Sequence, residues 1–480
     1  MILRSSSFYR FLTLVWGSIL FCLPADVQSQ EFSFDDFKTQ VLGNHPMARG
    51  ALLQLNQNRF FEQQVRGAFD PKLYGNYDRK DFSESNYWQV SEGGVKLPTP
   101  FGAEFKLGYQ HTQGVFLNPE QTVPDAGQAT LGVSVPLIQG LSFDDRRFGM
   151  RQAEVSQTMN SADAQINLNK LILDAGKAYY DWAYEYQVVQ IRQKAVDFAQ
   201  VRFEATVESF QNGYQPAMDT LESFILVQDR QIALDQSLLD LDNARVNLSN
   251  WLWNEQGQNL ELAKVVGPGE WINTRQDNLP QTLEELLTTV HPENDLAAAK
   301  IQQAEWDRRL KAESLKPRLD VEYNLLSDGF NLNPQSNPDV NGLNNLFTDN
   351  YKVGVKFAMP LLFRKERASV QLADIKIAQN EMLRDQKQIL IQNKQLVYLE
   401  QLRQIDKQIT ESIRVVANYR SLADLEIDKF AFGQSSIFLI NSREQKLIDA
   451  ELKLMKLYAA YQKAKLGYLD ATNNIAPIGN

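Results

Sequence analysis

Residues 318–325 read Arg-Leu-Asp-Val-Glu-Tyr-Asn-Leu, and residues 351–359 read Tyr-Lys-Val-Gly-Val-Lys-Phe-Ala-Met. In the first, Leu319, Val321, Tyr323 and Leu325 alternate with Arg318, Asp320, Glu322 and Asn324. In the second, Tyr351, Val353, Val355, Phe357 and Met359 alternate with Lys352, Gly354, Lys356 and Ala358. Successive side chains of a strand point to opposite faces, so both segments read as strands with one apolar and one wet face. Strands of this pattern cover a soluble core or line a transmembrane barrel with a hydrated interior.

Outward from these strands the chain changes character. No proline occurs from 361 to 476, and no glycine from 355 to 432. Apolar residues take helical spacing at Tyr398, Leu402, Ile405, Ile409, Ile413, Val416, Ala423, Ile427 and Phe430. The spacing predicts a helix over about 362–432, which at 1.5 Å per residue is roughly 100 Å long. No globular core is that wide. The run stops at Gly433 and a new helical pattern starts near Ser436, the signature of a tight helix–helix turn.

The same plan is written earlier in the chain. His45-Pro46, Pro71, Leu73 and Tyr77 recur 246 residues later as His291-Pro292, Pro317, Leu319 and Tyr323. Phe210-x-x-Gly213 and Ala244 recur 220 residues later as Phe430-x-x-Gly433 and Ala464. A unit this long is no solenoid repeat. It implies two copies of one plan around a pseudo-symmetry axis. The shrinking offset places an insertion in the first copy between Pro71 and Pro136. There Tyr87–Leu97 and Ala103–His111 read as an extra hairpin, expected at the outer end of the sheet, beside strands near Lys72–Asp78 and Thr130–Pro136. Ser33-x-x-Asp36 and Thr282-x-x-Glu285 are capping patterns that open each copy. The expected organisation is a signal peptide at 1–29, a first repeat at 30–253, an equatorial linker forming a surface belt at 254–281, a second repeat at 282–472 and a tail at 473–480. A polar loop at 328–350 joins the two strands of the second copy.

Composition narrows the function. The 480 residues carry a formal charge of −10, without the basic face that nucleic-acid binding needs. Arg4, Arg10, the apolar run Phe11–Leu23 and Val27-Gln28-Ser29 read as a secretory leader. Cys22, the only cysteine, lies within it, and bulky Phe21 before it suits a lipoprotein signal poorly. No later stretch is apolar for 18 residues, so membrane crossing by a helix is not expected. The histidines His45, His111 and His291 lack metal-ligand spacing, and two of them sit at equivalent bends before proline. No cofactor and no catalytic constellation is expected. The aromatic run Tyr179–Tyr186 has the spacing of interhelical packing.

The order helix, strands, very long helix, glycine turn and returning helix, twice over behind a leader, resembles the TolC family of outer-membrane efflux and export ducts. The matching motifs are the two His-Pro pairs, Val-x-Val-Pro-Leu at 133–137 and Phe-x-Met-Pro-Leu at 357–361. Phe-Gln-Asn-Gly at 210–213, Phe-Ala-Phe-Gly at 430–433 and the Ala244–Leu248 rhythm also fit. The resemblance implies a mainly α fold: long antiparallel helical hairpins form an α-barrel, and each chain lends transmembrane β-strands, here read as four, to one shared barrel of a homotrimer. It implies outer-membrane lipid, a periplasmic adaptor and an inner-membrane pump or ABC exporter as partners. Arg318, Asp320, Glu322, Lys352 and Lys356 would face the barrel lumen. Gly213 and Gly433 would form the periplasmic tip, where Asp219 matches an aspartate that helps close the aperture. The second tip departs from the family: Ser435, Leu439 and Ser442 stand where an arginine and two aspartates are usual. An Arg443–Asp219 pair across the tip is the substitute latch the sequence suggests. Asp219 also suits the first turn of a helix on dipole grounds alone. The competing functional class is a periplasmic coiled-coil scaffold or adaptor with a soluble sheet.

Overall fold

The computed structural model describes residues 31–272, 291–328 and 350–476. The leader at 1–29, the Thr282–Glu285 capping pattern, nearly all of the 328–350 loop and the last four residues of the tail lie outside these.

The chain opens with β1 (Glu31–Phe32), α1 (Phe34–Asn44) and α2 (Pro46–Arg66). Ser33 caps α1, its hydroxyl accepting the Asp36 amide, as the capping pattern predicts. Four strands follow, β2 (Lys72–Phe82), β3 (Ser85–Pro98), β4 (Glu104–Gln113) and β5 (Gln128–Pro136). Two long helices then run as an antiparallel pair, α3 (Asp145–Gln211) and α4 (Ala217–Ser249). A short strand β6 (Gly267–Pro268) pairs in parallel with β1. The second copy supplies α5 (Pro292–Glu313), β7 (Arg318–Asp328), β8 (Tyr351–Ala358), α6 (Arg364–Ala431) and α7 (Ile437–Ala471). At 67 and 68 residues, α3 and α6 are each about 100 Å long.

The strands form one antiparallel sheet in the order β2-β3-β4-β5-β7-β8. All six segments read as strands from the sequence join this one sheet, two more than the four-stranded share expected of each chain. The inserted hairpin β3–β4 sits inside the meander between β2 and β5, not at the outer end, because each strand pairs with the next along the chain. The two copies join where β5 pairs with β7, Val133 opposite Tyr323.

The apolar core lies at mid-height of the helical part. Phe37 and Val41 of α1 meet Tyr179 and Trp182 of α3 and Tyr461 and Leu466 of α7, all fully buried or nearly so. The Tyr179 hydroxyl donates to the Phe32 carbonyl at 2.7 Å, tying this core to β1. The aromatic run therefore packs between helices, as its spacing predicts. The linker is less superficial than a belt: Trp271 is buried in the same cluster, and its carbonyl accepts from Gln462 at 2.8 Å. Toward the sheet, α2 and α5 pack on the near halves of α3 and α6, with Phe143 stacked on Trp306 at 5.7 Å and Arg308 paired with Asp374. Toward the turns the α3–α4 and α6–α7 hairpins continue side by side. No described helix is long and apolar enough to cross a membrane.

Candidate functional site: a two-faced sheet and a double helical tip

Cross-strand partners share a face, so the register sorts every sheet residue. One face carries Leu73, Tyr77, Val95, Leu107, Leu131, Val133, Tyr323, Val353, Val355 and Phe357. Nothing covers it. Leu73 is 83% exposed, Phe357 66% and Val355 63%. Soluble monomers rarely leave a contiguous apolar surface of this extent in water; such surfaces mark membrane or protein interfaces.

The opposite face is charged and cross-linked. Lys356 Nζ lies 2.5 Å from Glu322, Arg318 Nε 2.6 Å from Asp320, and Lys106 Nζ 2.8 Å from Glu92. Arg318, Asp320, Glu322 and Lys356 line one wet depression with Glu104 and Arg146, and Lys352 lines a second with Glu92 and Lys106. All five residues picked from the sequence thus share this face.

Tyr74, Glu92 and Lys106 were not picked, although they form its most connected cluster. The Tyr74 hydroxyl donates to Glu92 at 3.2 Å, and the ammonium groups of Lys96 and Lys106 sit 4.9 and 5.3 Å from its ring. The ring lies across the cross-strand pair Gly94–Gly108, where a Cβ on either glycine would come within 2.9 Å of the Tyr74 hydroxyl. Alternation in β3 is masked by Gly93-Gly94. The remaining signal was the charge spacing of Glu92, Lys96 and Lys106.

At the far end of the helices the two turns are built alike. Gly213 and Gly433 have φ of +77° and +71°. In each, the next residue's amide closes back five residues, Tyr214 to Ser209 and Gln434 to Lys429, both at 2.9 Å. This is the Schellman closure, which requires a left-handed residue at the glycine. Tyr214 and Phe432 beside the turns are 84% and 80% exposed, with Met218 and Phe438 also bare.

Asp219 lies in the first turn of α4, where it favours the helix dipole, and makes no ion pair among the described residues. The suggested Arg443–Asp219 latch is not what the chain forms. Arg443 Nε faces Glu426 at 3.5 Å, an ion-pair contact within its own hairpin. Ser435 donates to the same carboxylate at 2.6 Å. The Ser435 hydrogen bond, with Arg443 beside it, holds the Glu426 carboxyl below the usual carboxylate range. Nearby, Arg202 of α3 reaches across to Asn441 and Glu444 of α7, both at 2.8 Å, and joins the two hairpins. Glu426 was missed because a single carboxylate on a long helix, seven residues before the turn glycine, carries no pattern of its own.

No group of three or more His, Cys, Asp or Glu side chains that could hold a metal ion occurs among the described residues. Comparison by sequence finds no matching family model and no matching curated protein. Comparison by structure is informative. The Campylobacter jejuni CmeC outer membrane channel superposes with a TM-score of 0.64 at 12% identity, over 92% of this chain and 85% of that one. CusC, described for its transmembrane channel formation, gives 0.65 at 14% identity over 92% and 91%. The open state of the Neisseria gonorrhoeae MtrE outer membrane channel gives 0.66 at 13% identity over 92% and 88%. The chain has the fold of a TolC-type outer-membrane channel: long helical hairpins carrying an open share of a β-sheet.

Proposed function

We propose that this protein is the outer-membrane exit duct of a tripartite efflux or type I secretion system, assembled from three copies. The observation that carries the reading is the two-faced sheet. Its apolar face is bare and its other face is charged, which matches lipid outside and water inside a barrel. Open edges are not tolerated in lipid, so the sheet must close with other copies. Helices of about 100 Å then extend from the membrane as the wall of a periplasmic tube, their apolar stripes packing helix on helix and their Gln/Asn-rich face lining the passage. Arg318, Asp320, Glu322, Lys352 and Lys356 face the lumen. The exposed Tyr214, Met218, Phe432 and Phe438 at the tip are where a periplasmic adaptor docks, linking the duct to an inner-membrane pump or ABC exporter. Transport is passive, with no cofactor and no catalytic step in this chain.

Cell fractionation tests it. Heat-modifiable trimers in detergent extracts of the outer membrane, with ion-conducting channels on reconstitution, support the duct. Release of the folded protein by osmotic shock, without detergent, would establish the soluble scaffold instead.

A further inference from the structure

The two outer edges of the sheet, β2 and β8, have no partner strand within the described chain. From the alternation along the meander, β2 runs opposite to β8, so β8 of one copy can pair antiparallel with β2 of the next. We propose that this seam has a defined register, Lys352 opposite Asp78 and Ala358 opposite Lys72 of the neighbouring copy, and that three copies close an 18-stranded barrel. Both the copy number and the limits set on the register rest on the duct reading above.

The register follows from the observed ladders. Crossing the sheet at right angles to the strands from Lys72 leads through Lys96, Lys106, Gly132 and Asn324 to Lys352. Lys72 begins β2, whereas Lys352 is near the start of β8 at the opposite end of the sheet. To close on the next copy's Lys72, the path must slide along β8 toward Ala358. The slide must be an even number of residues, because an odd one would turn charged side chains into lipid. With about 3.3 Å per residue along a strand and about 4.8 Å between strands, slides of four, six and eight tilt the strands by about 25°, 35° and 42°. Transmembrane barrels tilt by about 35–45°, which leaves six and eight.

Charge separates these two. A slide of six sets Lys352 against Asp78, and on the lipid face Phe357 against Leu73 and Val353 against Tyr77. A slide of eight sets Lys352 against Lys80, two ammonium groups directly opposed. Six is therefore the slide. For 18 strands at that tilt the backbone cylinder is about 34 Å across, wide enough for an aqueous channel.

Paired cysteines test the seam, since Cys22 is the only cysteine of the sequence. In outer membranes under mild oxidation, Asp78→Cys with Lys352→Cys is expected to give covalent dimers and trimers on non-reducing gels. Lys80→Cys with Lys352→Cys should give several-fold less. Equal or stronger linking by the second pair overturns the register, as does absence of linking in both while the heat-resistant oligomer persists. A chain found monomeric and water-soluble would instead fail the duct reading itself. A charge swap gives a second readout. Lys352→Asp alone should lower the melting temperature of the oligomer, and adding Asp78→Lys should restore it. A double variant no better than the single overturns the seam.

Discussion

Glu426 and Arg443 face each other across the second helical turn at 3.5 Å, with the Ser435 hydroxyl completing the carboxylate's partners. The sequence offered Asp219 as the partner of Arg443, and the chain uses a residue seven positions before the glycine instead. Geometry explains the choice. Antiparallel helices joined by a tight turn place residues at similar distances from the turn side by side, so Glu426 and Arg443 are neighbours without any second hairpin.

Acid is expected to loosen the second tip through this pair. The Glu426 carboxyl is held below its ordinary range, chiefly by the Ser435 hydrogen bond. A depressed carboxylate contributes stability that is present above its unfolded value, near 4.3, and is lost as pH falls through the folded value. Amide exchange at residues 433–440 should therefore stay slow at neutral pH and accelerate below about pH 4. Glu426→Gln should show the faster exchange already at pH 7 and lose the pH dependence. Identical exchange in wild type and variant at both pH values would show that the contact does not hold the turn.

The two turn glycines test backbone strain separately from packing. Around Gly213 and Gly433 a Cβ would meet nothing within 4 Å, yet both residues have left-handed φ. Alanine at either position is expected to cost about 1–2 kcal/mol, all of it conformational. Asn, which tolerates this region, should cost less than Ala. Protease nicking at the tip, ranked wild type slowest, then Asn, then Ala, is the expected order.

Much of this architecture is legible in the sequence. Period-two alternation in 318–325 and 351–359 fixed two strands and their faces, because charge and apolarity never fell out of step there. The helical hairpins were readable because proline and glycine are missing over long runs and return at the turns. The insertion was seen but misplaced. Strand order is set by pairing between segments, and the local pattern of 87–111 says nothing about which neighbour it joins. Tyr74, Glu92 and Lys106 were invisible for a related reason: their cluster is assembled from three strands, and a glycine pair makes room for the ring. The Ser435–Glu426 bond likewise spans a turn whose sequence marks only its glycine.

The His-Pro pairs do more than bend the chain. His45 Nδ1 accepts the Met47 amide and His291 Nδ1 the Glu293 amide, both at 3.2 Å, so each imidazole caps the helix that its proline begins. Burial lowers both values below the ordinary 6.5; Glu293 and Asp470 near His291 oppose this, while Lys394 adds to it. Capping needs the unprotonated Nδ1. A lowered folded value means that stability is complete above about pH 6.5 and is lost as pH falls through the folded value. Melting temperature should hold from pH 8 to 7 and decline below about pH 6. A double His45→Asn, His291→Asn variant keeps a capping acceptor without titrating, and should flatten that slope. His→Ala at each position should cost about 1 kcal/mol at pH 7. An unchanged slope in the Asn variant would remove the caps as its source.

Val355 and Lys356 are adjacent in β8 and point to opposite faces, so they give opposite outcomes under substitution. Val355 is 63% exposed on the apolar face, near the middle of its strand. Val355→Arg puts a guanidinium where lipid is proposed, at a cost of about 2–4 kcal/mol near the bilayer centre. Fewer heat-resistant oligomers should reach the outer membrane, and those that do should conduct normally. Lys356 pairs with Glu322 on the charged face. Lys356→Val leaves Glu322 without its cation next to water, which is mild for assembly because exposed pairs contribute little. It should instead shift single-channel selectivity toward cations, read as a change in reversal potential across a salt gradient. If the arginine at 355 were tolerated and the valine at 356 blocked membrane insertion, the two faces of the sheet would have to be exchanged.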